Sequence, residues 1–245
     1  MNRKSNRVDP LSAKTQLEHN DNMLSSAFQP IVNSQLQLFG VEALLRVRDT
    51  ENQAVYTPDF LQRFEGNKLF EVEIAVIFLH ISNFLTQPFP IHTKLFLNIS
   101  PASLVSFFHN PLFQKLLDKL EREKITTDQI CFEVLEYSYS KPDYLTEIVK
   151  NLKKLGFQIA IDDYGVEASH AGRASELQPN IIKCDQSILQ KFITGHTQPL
   201  EQLISLSKEI NSELLMEGIE QEVYFNRLKQ LDIAFFQGFW IGKPQ

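Results

Sequence analysis

Nine polar residues in this 245-residue chain share one habit: each falls inside or beside a short apolar run. Glu42 lies within the run 41–46, Asn98 near the end of 95–99 and Glu133 inside 130–134. Asp162 and Asp163 close the run that starts at 158, and Lys183 and Asp185 stand at the end of 181–184. Glu217 follows 213–216, and Gln237 ends 234–237. One charged residue at the end of a buried strand simply meets water; the repetition along successive runs points to chemistry. The donors are carboxylates and amides with one lysine, and neither Cys nor His is among them. Such oxygen donors suit Mg2+ or Mn2+ better than zinc. The adjacent pair Asp162 and Asp163 can bridge two such ions. Two ions about 4 Å apart clamp a phosphodiester and lower the pKa of a water between them. A nearby lysine would neutralise phosphate charge or orient that water. His19, His80, His92, His109, His170 and His196 show no ligand spacing and read as surface or loop residues.

The elements that must position these residues are short and regular. Runs at 27–32, 41–46, 95–99, 130–134, 158–162, 181–184, 213–216 and 234–237 have strand length and are mostly rich in Ile, Val, Leu or Phe. That is the pattern of strands buried on both faces. Between them, 58–85, 101–122, 142–155, 197–211 and 220–231 read as helices. Thr57-Pro58 and Ser100-Pro101 each place a capping hydroxyl before a helix-starting proline. Only residues 33–40 separate the first two strands, which predicts an antiparallel hairpin. Thereafter strand and helix alternate, which favours parallel crossover units. The expected fold is α/β, a closed (β/α)8 barrel of the TIM type, whose chemistry gathers at the C-terminal rim of the strands. Residues 1–22 are polar and read as a tail, leaving 23–245 as one domain.

Composition narrows the function classes. Hydrophobic residues make up 43% and charged residues 22%, as in ordinary globular proteins. A formal charge of −6 argues against a surface for a nucleic-acid polymer. A nucleotide remains an admissible ligand, because bound cations invert the sign of an acidic pocket. The longest apolar stretch, 74–85, is broken by His80, Ser82 and Asn83, so no membrane insertion is expected. Cys131 and Cys184 sit in apolar runs and read as buried, reduced residues. A cytoplasmic location is expected.

Taken in order, the motifs resemble the EAL-domain cyclic di-GMP phosphodiesterases. Phe28-Gln29-Pro30-Ile31-Val32 leads into Glu42-Ala43-Leu44, the signature tripeptide. Asn98-Ile99-Ser100-Pro101, Glu133-Val134-Leu135-Glu136, Asp162-Asp163-Tyr164-Gly165 and Ile182-Lys183-Cys184-Asp185 follow at family-like intervals. Glu217-Gly218-Ile219-Glu220 and Gln237-Gly238 complete the set. The resemblance implies that Glu42, Asn98, Glu133 and Asp162 hold one metal, with Asp163 shared or serving a second. It implies that Lys183 contacts the attacking water, that Glu217 is general base or metal-associated carboxylate, and that Gln237 positions the water or the phosphate. Arg46 would contact a substrate phosphate, Gln29 would line the nucleotide site, and Asp185 and Glu220 would serve in or beside it. Glu136 would hold the loop after Asp163. The implied reaction opens cyclic di-GMP to linear pGpG with Mg2+ or Mn2+, two ions per site in the family's pattern.

One departure bears on activity. The family's glycine-containing loop after the paired aspartates is replaced here by Val166-Glu167-Ala168-Ser169-His170. In the family this loop supports the metal site and a homodimer contact. The alternative reading is therefore a cyclic di-GMP receptor that does not turn its ligand over and signals to a regulatory protein partner.

Overall fold

The computed structural model describes residues 15–135, 139–164 and 170–245, without the side chains of 163, 164 and 170–173. It begins with a strand, β1 (Leu17–His19), that turns back into the long β2 (Asn22–Asn33). β3 (Leu38–Arg48) and the two-residue β4 (Ala54–Val55) follow, then α1 (Thr57–Leu61) and α2 (Asn67–Phe84). After β5 (Lys94–Ile99) come α3 (Pro101–Phe108) and α4 (Pro111–Arg122). Next are β6 (Ile130–Val134), α5 (Pro142–Lys154), β7 (Gln158–Tyr164) and α6 (His170–Leu177). β8 (Ile181–Cys184), α7 (Gln186–Ile193), α8 (Gln198–Glu209), β9 (Glu213–Met216), α9 (Glu222–Leu228) and β10 (Phe235–Gln237) finish the fold.

Eight strands close into a barrel in the order β2-β10-β9-β8-β7-β6-β5-β3, and β3 pairs back with β2. The expected hairpin is present: β2 and β3 pair antiparallel with Gln29 opposite Glu42. β2 is antiparallel to β10 as well, so it runs against both neighbours. The other seven strands are parallel to one another. Both cysteines are free and buried in strands, as their apolar settings predicted. No helix among the described residues is long and apolar enough to cross a membrane.

The apolar stretch around 74–85 has a fold-level explanation. α2 buries Ile74, Ile77, Phe78 and Ile81 against the barrel and main helical layer. Its other side buries Val72, Ala75, Val76 and Leu79 with Leu17, Leu24, Phe60 and Phe64 in a second cluster. A helix sandwiched between two apolar masses has no solvent face to keep polar.

Several expectations need correction. The helix expected over 58–85 is two, separated at Gly66, whose φ of +54° suits glycine and ends helical continuity. The helix expected over 101–122 also divides. Pro111 disfavours helical geometry at Asn110, whose side chain instead accepts a hydrogen bond from the Leu112 N–H and caps a new helix. Ser100 caps α3 as expected, but Thr57 does not cap α1; its hydroxyl donates to the Leu45 carbonyl. Within the stretch read as a polar tail, Leu17–His19 pairs with β2 and Leu17 is buried. His80 is no surface residue. It is buried on α2, and the Ser26 hydroxyl lies 2.7 Å from its Nδ1.

Candidate active site

The site grows from the period-two alternation of strand side chains. At the N-terminal end of the barrel interior, Ile31, Phe96, Cys131, Ala160, Ile181, Leu215 and Phe235 form one buried apolar cluster. The residue two positions further toward the other end of each strand points the same way. Those residues are Asn98, Glu133, Asp162, Lys183, Glu217 and Gln237, with Gln29 on the reversed strand β2. β3 contributes Glu42, two positions after Gly40. Every barrel strand therefore raises or leads into one polar side chain above a shared apolar floor.

These side chains converge. Lys183 is 1% exposed, and its ammonium lies 2.9 Å from Asp162 Oδ1, 2.9 Å from Glu217 Oε1, 3.0 Å from Glu133 Oε1 and 3.6 Å from Glu42 Oε2. The Glu42 carboxylate is held by two amides: Asn98 Nδ2 donates to Oε1 at 3.0 Å and Gln237 Nε2 to Oε2 at 2.8 Å. A cavity of about 330 Å³ opens beside them, lined by Gln29, Glu42, Asp185, Gln186, Glu217, Gly218, Glu220, Gln237, Gly238 and Phe239. That volume lies within the range of about 300–1,000 Å³ usual for small-molecule sites.

Four carboxylates face one ammonium, so the pairing is lopsided. Burial pulls the Lys183 ammonium down, but Asp162, Glu133, Glu217 and Glu42 together outweigh it and hold the group charged. Each carboxylate has only a share of one cation. Burial, with Glu42 and Asp162 nearby, holds Glu133 well above the usual carboxylate range despite Lys183. Burial, with Asp162 and Glu42 nearby, pushes Glu217 up to about 8. If all four were ionised, the cluster would carry three uncompensated negative charges. An interior of this kind takes up either protons or added cations.

The donors fit a hard divalent cation. Glu133 is fully buried, and its Oε2 has no hydrogen-bond donor among the described residues. The buried Gln237 Oε1 is likewise without a donor. No three Asp, Glu, His or Cys side chains among the described residues already form a cation cage. The carboxylates face the Lys183 ammonium instead. Their oxygen chemistry, excess charge and unmatched lone pairs are nonetheless what Mg2+, Mn2+ or Ca2+ requires.

Other expected residues are placed less centrally. Asp185 lines the cavity and also caps α7, accepting from the Ser187 N–H at 2.8 Å. Glu220 is exposed at the cavity wall, and Gln29 is fixed there by donating from Nε2 to the Gly242 carbonyl. Arg46 is exposed on β3 and does not line the cavity; its guanidinium donates to the neighbouring Leu45 carbonyl. Glu136, the loop 166–169 and the side chain of Asp163 lie outside the described residues. Three contributors were not anticipated from sequence, of which Gln186 lines the cavity at the start of α7. Phe239 forms part of the cavity wall, and its position directly after Gln237-Gly238 was an available signal. Glu73 is a buried carboxylate in the apolar helix α2. Ser100 donates to it through both its N–H (3.2 Å) and its hydroxyl (2.7 Å), two residues beyond Asn98.

The family model described as EAL domain matches residues 12–244. The chain belongs to the EAL domain family. A probable cyclic di-GMP phosphodiesterase, PdeN of Escherichia coli (strain K12), is 29% identical over 224 residues, covering 89% of this chain and 43% of its own. The chain thus spans less than half the length of that relative. A standalone versatile EAL protein from Vibrio cholerae O395, in its c-di-GMP-bound form, is 26% identical with a TM-score of 0.78, covering 90% of this chain and 92% of its own. The Bacillus subtilis YkuI protein, an EAL-domain protein in complex with substrate c-di-GMP and calcium, is 22% identical with a TM-score of 0.76. That match covers 91% of this chain and 55% of the other. The EAL domain thus shares its overall barrel fold with these solved relatives.

Proposed function

We propose that this EAL domain is a divalent-metal-dependent phosphodiesterase that opens cyclic di-GMP to linear pGpG. The observation that carries the reading is the set of polar side chains raised by the barrel strands, four of them carboxylates that face Lys183 beside the cavity. The c-di-GMP in the Vibrio cholerae relative and the phosphodiesterase name of the Escherichia coli relative support the choice of ligand and reaction. Glu42, Asn98, Glu133 and Asp162, with Asp163, would hold Mg2+ or Mn2+. Bound there, the ions would supply positive charge for the phosphate and acidify a water.

The chain's own groups do the rest. Glu217 faces the cavity with a raised proton affinity, the property a general base needs to take a proton from water near neutral pH. A nearby cation lowers that affinity, so the base is matched to the loaded site. Lys183 stays charged and stands within reach of Glu217 and Asp162, where it orients the attacking water and balances phosphate charge. Gln237 ties down Glu42 through Nε2, leaving Oε1 to accept a hydrogen bond from that water. Gln29 and Asp185 line the ligand's path. A cytoplasmic location follows from the same reading.

The test is incubation of the purified chain with cyclic di-GMP and Mg2+ or Mn2+, with products separated by chromatography. Metal-dependent pGpG, absent in chelator, is the expected result. Tight binding without turnover would replace the enzyme by a receptor, and no binding would reject both.

A further inference from the structure

Outside the barrel lies a second cavity, of about 430 Å³, that shares no lining residue with the first. It opens where the β1–β2 turn meets the junction of α1 and α2. The turn residues Asn20 and Asp21 have φ of +45° and +59°, as a two-residue hairpin turn requires. Strand alternation puts His19 on the side of buried Leu17, and Asn22 on the side of buried Leu24. Both therefore face the smaller apolar cluster. There the His19 ring stands edge-on to Phe64, with centroids 5.3 Å apart, and Phe64 meets Phe60 at 5.1 Å to complete an aromatic floor. The rim is basic. Arg63 and Lys68 line the cavity and are exposed, and neither forms an ion pair among the described residues. The Arg63 guanidinium lies over the Phe60 ring, 5.9 Å from its centroid. Glu71 is the only carboxylate among the described lining residues. Burial lowers the His19 pKa from its ordinary value and Glu71 offsets that only in part, so the ring is neutral at pH 7. Two cations against one carboxylate leave this lining positive, on a chain whose formal charge is −6. Asn22 donates to the Asn20 carbonyl at 2.6 Å, while the Asn20 carboxamide has no partner among the described residues.

Unpaired cations beside an aromatic floor and an open carboxamide suit a phosphate joined to a flat ring whose edge makes hydrogen bonds. We propose that this cavity binds a purine nucleoside monophosphate, with the phosphate at Arg63 and Lys68, the base against the rings and Asn20 at its edge. The site is independent of the chemistry at Lys183. In chelator the acidic cluster there has no ions to offer a phosphate, so only the second cavity should respond. The experiment is a calorimetric titration of the full chain, in chelator, with AMP, with GMP and with inorganic phosphate. One of the two nucleotides should bind with a dissociation constant below about 1 mM. Inorganic phosphate should bind at least about tenfold more weakly, because it lacks a base to stack. A double variant, Arg63→Gln with Lys68→Gln, should lose at least about tenfold in nucleotide affinity with its melting temperature unchanged, since both side chains are exposed. Asn20→Gly keeps the positive-φ turn while removing the carboxamide, and should weaken binding about threefold. A wild-type chain that binds neither nucleotide below about 1 mM overturns the site. A double variant that binds as tightly as the wild type overturns it too, by placing the nucleotide elsewhere. Phosphate as tight as the nucleotide, or an Asn20→Gly variant as tight as the wild type, overturns the placement of the base.

Discussion

Lys183 is the residue on which the electrostatics of the barrel mouth turn, because four carboxylates face it within 3.6 Å. Replacing it with methionine keeps much of the volume and removes the charge. In chelator, Lys183→Met should lower unfolding stability by about 3–5 kcal/mol, since buried carboxylates lose their partner. Added Mn2+ should recover part of that loss, measured by denaturant titration with and without the ion. A loss independent of the ion would mean that the carboxylates do not gather a cation. His80 offers a second test. Burial, helped by the positive Arg46, lowers its pKa to about 3. The native state keeps it neutral, while the unfolded chain takes up a proton below about pH 6.5. Its contribution is therefore complete above that pH and is lost as pH falls toward 3, reaching about 2 kcal/mol by pH 5. Replacing it with glutamine should flatten that part of the pH–stability curve; an unchanged curve would show that His80 does not titrate as described. At this scale the carboxylates around Lys183 were readable from sequence because each falls inside or beside an apolar run. His80 was not, since a single polar residue in an apolar helix carries no sign of whether it is paired.

The strands were the easier elements to read, because apolar runs of strand length bury both faces. The helices were harder. Asn110-Pro111 restarts a helix within a pattern that looks continuous, and only the cap geometry reveals the break. α6 and α7 were not anticipated; each has only eight residues, too few for a clear helical period. β1 was hidden for a related reason, since three residues cannot show alternation and its burial depends on α2. The same helix reaches the candidate site through Glu73, which fixes the start of α3 through Ser100. Glu73→Ala should cost about 1–3 kcal/mol by leaving Ser100 without its acceptor. It should also raise the Mn2+ concentration needed for half-maximal activity, because Asn98 stands two residues away. A stability loss with an unchanged metal requirement would make Glu73 structural only.

For the molecule as a whole, the closed barrel followed from the count and order of strands, but the way it closes did not. Sequence alternation predicts that β2 and β3 form a hairpin; nothing local says that β10 then pairs antiparallel with β2. Because the candidate site is assembled from all eight barrel strands, a ligand bound there should stabilise the entire fold rather than one segment. Cyclic di-GMP with Ca2+, at about 100 times its dissociation constant, should add about 2.7 kcal/mol to global unfolding. Protection limited to a few amides in hydrogen exchange would contradict that coupling. The antiparallel closure also has a consequence in time. The Gln29 side chain bonds Gly242, 213 residues further along the chain, and Phe28 pairs with Gln245. A chain emerging from a ribosome must leave one edge of β2 unpaired until nearly all of these residues have been made. Sealing the barrel is then a late, long-range step, and the waiting edge is the place where a nascent chain is most exposed to pairing with another molecule.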